Sequence, residues 1–376
     1  MHAAARNQVV SAFIALVLLS RGAPASTAAT GPNTGPRLYV LSAGNSTVSV
    51  ITLSDNQVVA TLGVGHDNWG AAISPDGAWL CVTNHADGTV SAISTVDSQV
   101  TTIGVAYGPT SVAVSPDSKR AYVVGESNTV SVIDTGTNMV IATARVGTGP
   151  TGVVVSPDGQ QVYVPCFASG LSILNTASNK LVATIGTGIH PWGAAVSPDG
   201  KRVFVINYGT GLTAGTVAVV DPAARKVIAT LKVGEGPNAV AVSPDGAKVY
   251  VPNEGDDTVS IVNAATNTVE ATLPAREAAG NVAVSADSRW AYVTNNFGDT
   301  VTVVDAVHDA VAATVTVGSG PDSVAFSPDG KWAYVANRGA NLYVPDNTVS
   351  VIDTSNQSVK TTITVGTAPR LALVKP

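Results

Sequence analysis

The sequence has few cysteines and few charged residues, and each shortage excludes a class of protein. Cys81 and Cys166 are the only cysteines among 376 residues, which excludes a disulfide-rich or thiolate-metal scaffold. Charged residues make up 12% of the chain and no basic patch stands out, so neither nucleic acid nor an anionic membrane surface is an expected partner. Beyond the N-terminal segment no apolar pattern has helical periodicity, which excludes a helical domain.

One apolar run, residues 9–19, lies close to the N-terminus. Arg6 precedes it, and Ala23-Pro24-Ala25 supplies small residues at the spacing that a signal peptidase recognises. The run is shorter than the roughly 20 apolar residues of a transmembrane helix. We therefore predict a signal peptide over residues 1–25, a flexible linker over residues 26–36 and an exported, periplasmic or extracellular protein without membrane insertion. A retained anchor is the alternative.

A repeat occupies the rest of the chain. The tetrapeptide Ser-Pro-Asp-Gly, with two close variants, occurs seven times, at spacings of 41, 41, 41, 46, 42 and 42 residues. A repeat of this length is typical of propellers and solenoids. The first residues of the seven tetrapeptides are Ser74, Ser115, Ser156, Ser197, Ser243, Ser285 and Ser327.

Each repeat contains four short alternating runs, rich in β-branched residues and separated by Gly, Asn, Asp or Pro. Strand A is typified by residues 239–243, strand B by 250–253, strand C by 129–134 and strand D by 227–231. Units of four strands that repeat around an axis are the blades of a β-propeller. Neighbouring blades bury the faces that a single blade leaves exposed.

Counting strands predicts eight blades in a single domain over residues 37–376. The chain before the first complete repeat supplies strands B, C and D without an A, and residues 371–374 supply an A with nothing after it. We expect this last strand to complete the N-terminal blade and to close the ring, which removes two sheet edges. Seven blades is the alternative if the terminal segments pack elsewhere.

The strand B motif carries a resemblance. Tyr292-Val293-Thr294-Asn295 recurs in altered form at Tyr163, Tyr250 and Tyr334, and together with Ser-Pro-Asp-Gly it resembles the YVTN family of β-propeller repeats over nearly the whole mature chain. The resemblance implies an exported or cell-surface protein, often a binding or adhesion module. Similar propellers include lactonases and a streptogramin lyase, with a metal or catalytic residues in the central channel. None of their site motifs matches this sequence residue by residue.

The topology puts the D–A and B–C loops on one face of the disc and the A–B turns on the other. The Ser-Pro-Asp-Gly face is uniform, whereas the D–A and B–C loops vary, and variable loops on a rigid scaffold commonly carry function. Two insertions lengthen B–C loops, residues 208–215 and residues 338–347. They are interpreted either as a lid or partner surface, or as free variation in loop length.

Residues just before strand A are expected nearest the central axis. Four of the eight blades have Thr or Asn there, and Trp69, Trp192 and Arg370 are unusual at this position. A Trp at a channel mouth either stacks on a flat or sugar-like ligand or packs between blades. Arg338 with Arg370 forms a pair suited to a carboxylate or phosphate, with ordinary solvation as the alternative. Tyr208, which begins the first insertion, completes the candidate ligand-binding residues.

Four residues are metal candidates. His66 and His85 lie at this end of one blade, and His190 with Glu254 on adjacent blades could converge over the channel. A divalent metal requires more than two ligands in place, so solvated loop histidines are the competing interpretation. The acidic loop that begins at Asn253 has no defined calcium-loop spacing.

Signatures of catalysis are missing: neither Gly-x-Ser-x-Gly nor His-Glu-x-x-His occurs. Cys81 and Cys166 fall on different blades, so we expect free thiols. The leading hypothesis is a monomeric recognition scaffold whose D–A/B–C face binds a protein, a glycan or a small ligand. The alternatives are a channel-mouth enzyme of the metal-assisted lactone hydrolase or lyase type, and a structural envelope protein.

Overall fold

The computed structural model describes residues 35–210, 214–341 and 344–375, and its regular structure is entirely β-strand. Among these residues no helix is long and apolar enough to cross a membrane. The predicted signal peptide and most of the predicted linker lie outside the described residues. Thirty-two strands form eight four-stranded antiparallel sheets, so the chain is an eight-bladed β-propeller.

The first four blades follow the chain. Blade 1 contains β1 (Arg37–Ser42), β2 (Thr47–Thr52) and β3 (Val58–Gly63), completed by β32 (Pro369–Val374). Blade 2 contains β4 (Asn68–Ile73), β5 (Trp79–Asn84), β6 (Thr89–Ser94) and β7 (Val100–Gly104). Blade 3 contains β8 (Pro109–Val114), β9 (Arg120–Gly125), β10 (Thr129–Asp134) and β11 (Met139–Arg145). Blade 4 contains β12 (Val154–Val155), β13 (Gln161–Cys166), β14 (Gly170–Asn175) and β15 (Lys180–Ile185).

The other four blades repeat the arrangement. Blade 5 contains β16 (Pro191–Val196), β17 (Val203–Asn207), β18 (Ala214–Asp221) and β19 (Lys226–Glu235). Blade 6 contains β20 (Ala241–Val242), β21 (Lys248–Asn253), β22 (Thr258–Asn263) and β23 (Thr268–Pro274). Blade 7 contains β24 (Ala279–Val284), β25 (Trp290–Asn295), β26 (Thr300–Asp305) and β27 (Ala310–Thr316). Blade 8 contains β28 (Pro321–Phe326), β29 (Trp332–Asn341), β30 (Val344–Asp353) and β31 (Ser358–Thr364).

The C-terminal strand closes the ring. β32 pairs antiparallel with β1, with Leu38 opposite Val374 and Leu41 opposite Leu371. The inner strands of all eight neighbouring blade pairs contact one another, including β28 with β32 and β32 with β4. The prediction of eight blades and of this closure is confirmed, and the seven-blade alternative is wrong.

The core lies between blades, where the faces of adjacent sheets interlock. Tyr292 of strand B in blade 7, for example, is fully buried among Val324, Val335 and Ile352 of blade 8. Burial of a large side chain of this kind stabilises the fold by roughly 2 kcal/mol. Each blade therefore depends on its neighbours.

The remaining residues of the strand B motif hold its end in place. The N–H of Asn281 donates to Thr294 Oγ1 at 2.9 Å, which satisfies a bulge in the A–B ladder. Asn295 Nδ2 donates to Thr300 Oγ1 at 2.9 Å and to Thr302 Oγ1 at 3.0 Å. The motif therefore fixes the start of the B–C loop by buried hydrogen bonds.

The inner strand of blade 6 differs from prediction, because residues 239–243 form only the two-residue β20. Blade 4 has the same short inner strand, β12. In both blades strand B carries a proline, Pro252 or Pro165, at the position opposite the start of strand A. Proline has no N–H to donate, so the ladder is interrupted toward the D–A/B–C face.

Candidate functional site at the channel mouth

Eight residues at equivalent positions near the start of strand A form an inner ring around the channel. The sequence predicted that these residues lie just before strand A. In six blades they instead lie inside the strand, and in the two blades with short inner strands they precede it. In ring order from blade 1 they are Arg370, Trp69, Thr110, Thr151, Trp192, Asn238, Asn281 and Asp322.

A second, outer ring consists of the first residue after the B-strand core of each blade. Its backbone N–H donates in every blade to a D–A loop carbonyl, over distances of 2.7 to 3.1 Å. The residue that accepts has a positive φ in every blade, whether or not it is glycine. The backbone frame is therefore constant while the side chains vary. In ring order they are Ala43, His85, Glu126, Phe167, Tyr208, Glu254, Asn296 and Arg338.

Charged side chains of the two rings meet on blades 8 and 1. The carboxylate of Asp322 lies 3.6 Å from Arg338 Nε and 3.7 Å from Arg370 Nε. The side chains of Asp322 and Arg370 are 5% and 9% exposed, whereas that of Arg338 is 29% exposed. Burial lowers the pKa of Arg370, and the Asp322 carboxylate counteracts this shift. One buried carboxylate thus serves two guanidinium groups.

Trp69 extends this group of charges into blade 2. The Arg370 guanidinium lies 5.4 Å from the centre of the Trp69 ring, and the His85 ring lies 5.1 Å from it. His85 in turn contacts two carboxylates, with Nδ1 3.0 Å from Asp67 and Nε2 3.3 Å from Glu126. We call this set the polar arc: Asp322, Arg338, Arg370, Trp69, His85, Asp67 and Glu126.

Aromatic side chains gather on blades 4 and 5, in another sector of the ring. Phe167 stacks on His190 with ring centres 4.0 Å apart and planes within 6°. Trp192 lies 6.4 Å from Phe167 and 6.2 Å from Tyr208, and it packs against the core between blades 5 and 6. Packing therefore accounts for part of Trp192. We call Phe167, His190, Trp192 and Tyr208 the aromatic arc.

His190 has a defined tautomer and a strained backbone. Its Nδ1 lies 2.6 Å from the carbonyl oxygen of Gly209, which only accepts, so Nδ1 carries the proton. Its φ is +55°, in the left-handed region that most side chains avoid. Four of the eight equivalent frame positions are glycine. A histidine kept there at a conformational cost is a candidate for function.

Two indole nitrogens at the mouth are buried hydrogen-bond donors. Trp69 Nε1 and Trp192 Nε1 are buried, and neither has a hydrogen-bond partner within the residues that the structure describes. A buried donor without a partner is costly, so a ligand or water that accepts from either indole would be favoured there.

The metal candidates are dispersed. His66 contacts Asp87 through Nδ1 at 3.2 Å, His85 contacts Asp67 and Glu126, and His190 contacts Phe167. Within the described ranges no three His, Cys, Asp or Glu side chains are placed to hold a metal ion together. The described contacts do not bring His190 to Glu254.

Both insertions extend the same face, as expected. In blade 8, β29 and β30 continue as a two-stranded hairpin beyond Arg338, pairing Gly339 with Pro345. In blade 5, β18 and β19 are also longer at the D–A/B–C face, where Ala214 lies opposite Glu235. The insertions therefore lengthen existing strands next to Arg338 and Tyr208; residues 211–213 and 342–343 lie outside the described parts of the chain.

The cysteines are free and buried, which confirms the prediction. Burial raises the pKa of Cys81 to about 12, and it also raises the pKa of Cys166. The thiol, not the reactive thiolate, is therefore the resting form of both residues.

Several residues at the mouth were not predicted from the sequence, above all Phe167, Glu126 and Asp67. The signal that would have found the first two is positional, because each directly follows the strand B core of its repeat. Alignment of the repeats on that position would have given the whole outer ring.

Comparison with known proteins gives a family. The family model described as "Lactonase, 7-bladed beta-propeller" matches residues 134–373. The structure has one blade more than this description names. No curated protein matches the chain.

Solved structures share the fold. A chain titled Kuenenia stuttgartiensis hydrazine synthase is 26% identical, with 78% of this chain and 97% of that chain covered and a TM-score of 0.64. Dihydro-heme d1 dehydrogenase NirN in complex with DHE is 16% identical, with coverages of 90% and 74% and a TM-score of 0.75. A functionally unknown protein from Desulfotomaculum acetoxidans DSM 771 is 15% identical, with coverages of 89% and 98% and a TM-score of 0.60.

Proposed function

The chain belongs to the family described as "Lactonase, 7-bladed beta-propeller", and from this premise we propose that it is an exported propeller of YVTN type that binds a small organic anion at its channel mouth. The N-terminal sequence supports export to the periplasm or beyond, and the mouth supports a small ligand. NirN, which has a similar fold, was solved in complex with DHE, and this agrees with a small ligand rather than a protein or glycan.

The observation that carries the proposal is the sharing of Asp322 between Arg338 and Arg370. A buried cation is costly without full compensation, and Asp322 supplies one negative charge to two positive ones. The nearby carboxylates of Asp67 and Glu126 are about half exposed and both contact His85. Around Arg338 and Arg370 themselves, an incoming carboxylate or phosphate would add a second negative group beside the one that Asp322 supplies.

Arg338 is the residue that an incoming ligand would contact. Its side chain is more exposed than that of Arg370, and its backbone is held in the outer-ring frame by a hydrogen bond to Gly320 at 2.9 Å. A guanidinium presents paired donors that match a carboxylate or phosphate. Arg370, fixed over Trp69, supplies the second positive charge.

The experiment is a titration of the mature protein with succinate and with inorganic phosphate, followed by tryptophan fluorescence. Trp69 and Trp192 lie at the mouth, so Trp69→Phe and Trp192→Phe assign the signal. Arg338→Gln should weaken binding about 10- to 100-fold, the equivalent of one charge-assisted pair. Arg276→Gln, an exposed arginine on the same face, should bind like the wild type. Equal binding by Arg338→Gln and wild type, or no binding of either anion, refutes the proposal.

Lactone hydrolysis is the second candidate function, and the family match favours it. A guanidinium such as Arg338 would stabilise the oxyanion that forms when water attacks a lactone carbonyl. A panel of five- and six-membered lactones, assayed with and without added zinc or manganese, tests this function. Activity that persists in Arg338→Gln would exclude this role.

A further inference from the structure

The outer strand of blade 2 differs from the outer strands of the other blades. In blades 1 and 3 to 8 the pairing between strand C and the outer strand, D, shifts by one residue, which marks a β-bulge. In blade 2, β7 pairs with β6 without a shift, from Thr89 opposite Gly104 to Ile93 opposite Val100. Bulges bend an exposed edge and disrupt its pairing groups. Among the outer strands that the structure describes, β7 is therefore the one with a regular edge.

The missing bulge has its cause in the length of the strand. In blade 1, hydrogen bonds at both ends place residues 57–64 of the outer strand opposite residues 46–52 of strand C, eight residues against seven. In blade 2, the equivalent hydrogen bonds place residues 99–105 opposite residues 88–94, seven against seven. The outer strand of blade 2 is thus one residue shorter, and its ladder has no extra residue to accommodate.

The regular pairing determines which backbone groups of β7 face outward. The carbonyl of Gln99 accepts a hydrogen bond from strand C, and the N–H of Val105 donates one to it. Backbone groups alternate in direction along a strand, so these two residues and every second residue between them face β6. The N–H and C=O groups of Val100, Thr102 and Gly104 therefore point away from the sheet. Because β7 is the last strand of its sheet, these groups form the outer rim of the blade.

β7 also lacks charged side chains, which are another common protection of an exposed edge. Its sequence is Val-Thr-Thr-Ile-Gly. Five of the other outer strands contain Lys, Arg or Glu, namely β11, β15, β19, β23 and β31. The remaining two, β3 and β27, are uncharged but bulged. In the described strands, β7 thus combines a regular edge with an absence of charge.

The rim around β7 is apolar. Eleven large apolar residues on outer strands and C–D turns are exposed, and seven of them lie on blades 1 to 3. β11, which contacts β7, begins with Met139 and Val140, whose exposed fractions are 63% and 36%. An exposed apolar region of this kind marks a surface for protein association. The seven residues are Val58, Val59, Val96, Val100, Met139, Val140 and Ile141.

We propose that β7 pairs antiparallel with β7 of a second copy of this chain, so that the protein is a dimer rather than the monomer expected from the sequence. A two-fold axis through Thr102 places this residue opposite its own copy, and it places Val100 opposite the partner's Gly104. The three outward-facing residues of each strand then exchange six backbone hydrogen bonds. The two copies of blade 2 form one continuous sheet of eight strands.

The strand fits a second copy of itself. A two-fold axis maps the outward positions 100, 102 and 104 onto one another in reverse order, so the same surface serves both copies. Like charges directly opposite each other destabilise a strand pair, and β7 has no charge for the axis to duplicate. The outer rim lies at the far edge of the sheet from the channel, so the mouths of both copies stay accessible. The inference therefore goes beyond the proposed function and does not depend on it.

The experiment is sedimentation equilibrium of the mature protein over a range of concentrations. The wild type should dimerise with a Kd of roughly 1–100 μM, the weak end of the range for specific association. Insertion of one isoleucine between Val100 and Thr101 restores the residue count of the other outer strands. The bulge that results should weaken dimerisation at least about tenfold, because several backbone hydrogen bonds are lost.

A charge at the axis provides a second test. Thr102 is exposed, so Thr102→Lys and Thr102→Glu should fold like the wild type, as measured by the urea midpoint. Each variant alone should dimerise about 5-fold more weakly than the wild type, because like charges then lie opposite each other. An equimolar mixture of the two should form a heterodimer that is tighter than either homodimer. Thr314→Lys is the matched control, since Thr314 holds the equivalent exposed position on the uncharged but bulged β27 of blade 7, and it should dimerise like the wild type.

Three results would overturn the inference. A wild-type protein that stays monomeric at every concentration has no such interface. A dimer that is unchanged by both the insertion and Thr102→Lys joins its copies elsewhere. A mixture of Thr102→Lys and Thr102→Glu that associates no better than the separate variants would show that Thr102 does not lie at the two-fold axis.

Discussion

The polar arc and the aromatic arc are built on one backbone frame and yet hold their side chains by different forces. In both arcs, the backbone N–H of an outer-ring residue donates to the carbonyl of a D–A loop residue, and that accepting residue has a positive φ. In the polar arc, buried charges fix Arg370 and Asp322, whereas in the aromatic arc Phe167 and His190 are fixed by stacking. The frame thus sets where a side chain begins, and the side chains set the chemistry of each sector.

The difference has an energetic consequence. Buried ion pairs are held rigidly, because loss of one partner leaves an uncompensated charge. Aromatic contacts contribute roughly 0.5–1.5 kcal/mol each beyond the area they bury, so one of them can be lost at moderate cost. We therefore expect the polar arc to tolerate substitution poorly and the aromatic arc to tolerate it well.

The largest effect is expected from Asp322→Asn. The change removes the only carboxylate that Arg338 and Arg370 share in the described contacts, and the buried Arg370 guanidinium loses the charge of Asp322. We expect the free energy of unfolding to fall by about 3–5 kcal/mol, measured by urea denaturation.

Two controls bracket this prediction. Asp67→Asn removes a half-exposed carboxylate of the same arc and should cost less than about 1 kcal/mol. The double variant Asp322→Asn, Arg370→Met removes the buried charge as well and should recover most of the loss. Similar losses in Asp322→Asn and Asp67→Asn would show that the polar arc is not held by buried charge.

The two cysteines report how easily each sector opens. Cys81 lies inside the six-residue β5 of blade 2, paired on both sides. Cys166 ends β13 of blade 4, next to the short β12 where Pro165 interrupts the ladder. We expect a thiol reagent to label Cys166 about tenfold faster than Cys81 through local opening.

Cys81→Ser and Cys166→Ser assign the two labelling rates, and no labelling is expected before opening because both thiols are buried. Equal rates that match global unfolding would mean that blades 2 and 4 open only together. The interrupted ladder would then have no effect on local stability.

The fold could be predicted from the sequence because each repeat contains the local sequence signals for its own strands and turns. The Ser-Pro-Asp-Gly turn is an example: Ser74 Oγ lies 2.6 Å from the Asp76 carboxylate, which accepts the N–H of Ala78, and Gly77 has φ +67°. All these contacts are local, so a single repeat determines them. The count of strands and the closure by the last strand follow from the same pattern.

The site could be predicted only in part. The inner-ring exceptions Trp69, Trp192 and Arg370 were visible as departures from the repeat, and they do lie at the mouth. The contacts of Asp322 with two arginines, and of Phe167 with His190, join different blades. Such contacts depend on side-chain rotamers across the blade interface, which the repeat pattern does not specify.

A smaller effect is expected at His190, where strain and stacking oppose each other. His190→Ala loses the stack on Phe167 and keeps the strained φ of +55°. His190→Gly loses the stack too but relieves the strain, so it should be more stable than His190→Ala by about 1 kcal/mol. Urea denaturation of both variants measures the difference.

Ala278→Gly is the matched control. Ala278 holds the same frame position in blade 7 with φ +59°, and its methyl side chain cannot form an aromatic stack. It should stabilise the protein by a similar amount, about 1 kcal/mol. A glycine that fails to outperform alanine at position 190 would show that the left-handed backbone carries no cost there.

The smallest effect concerns acid. The N–H of His66 donates to Asp87 in blade 2, and this hydrogen bond holds the pKa of the Asp87 carboxyl below its usual range. A carboxyl whose pKa is lower in the folded chain stabilises the fold above about pH 4, the range of an unfolded aspartate. That contribution is lost as pH falls through the lower, folded pKa.

Asp87→Asn should therefore be slightly less stable than wild type at neutral pH, and the two should converge near pH 2. The urea midpoint measured from pH 7 to pH 2 checks this, and Trp69→Phe and Trp192→Phe backgrounds show which sector responds. Equal stability of Asp87→Asn and wild type at every pH would show that the hydrogen bond from His66 to Asp87 contributes nothing to the fold.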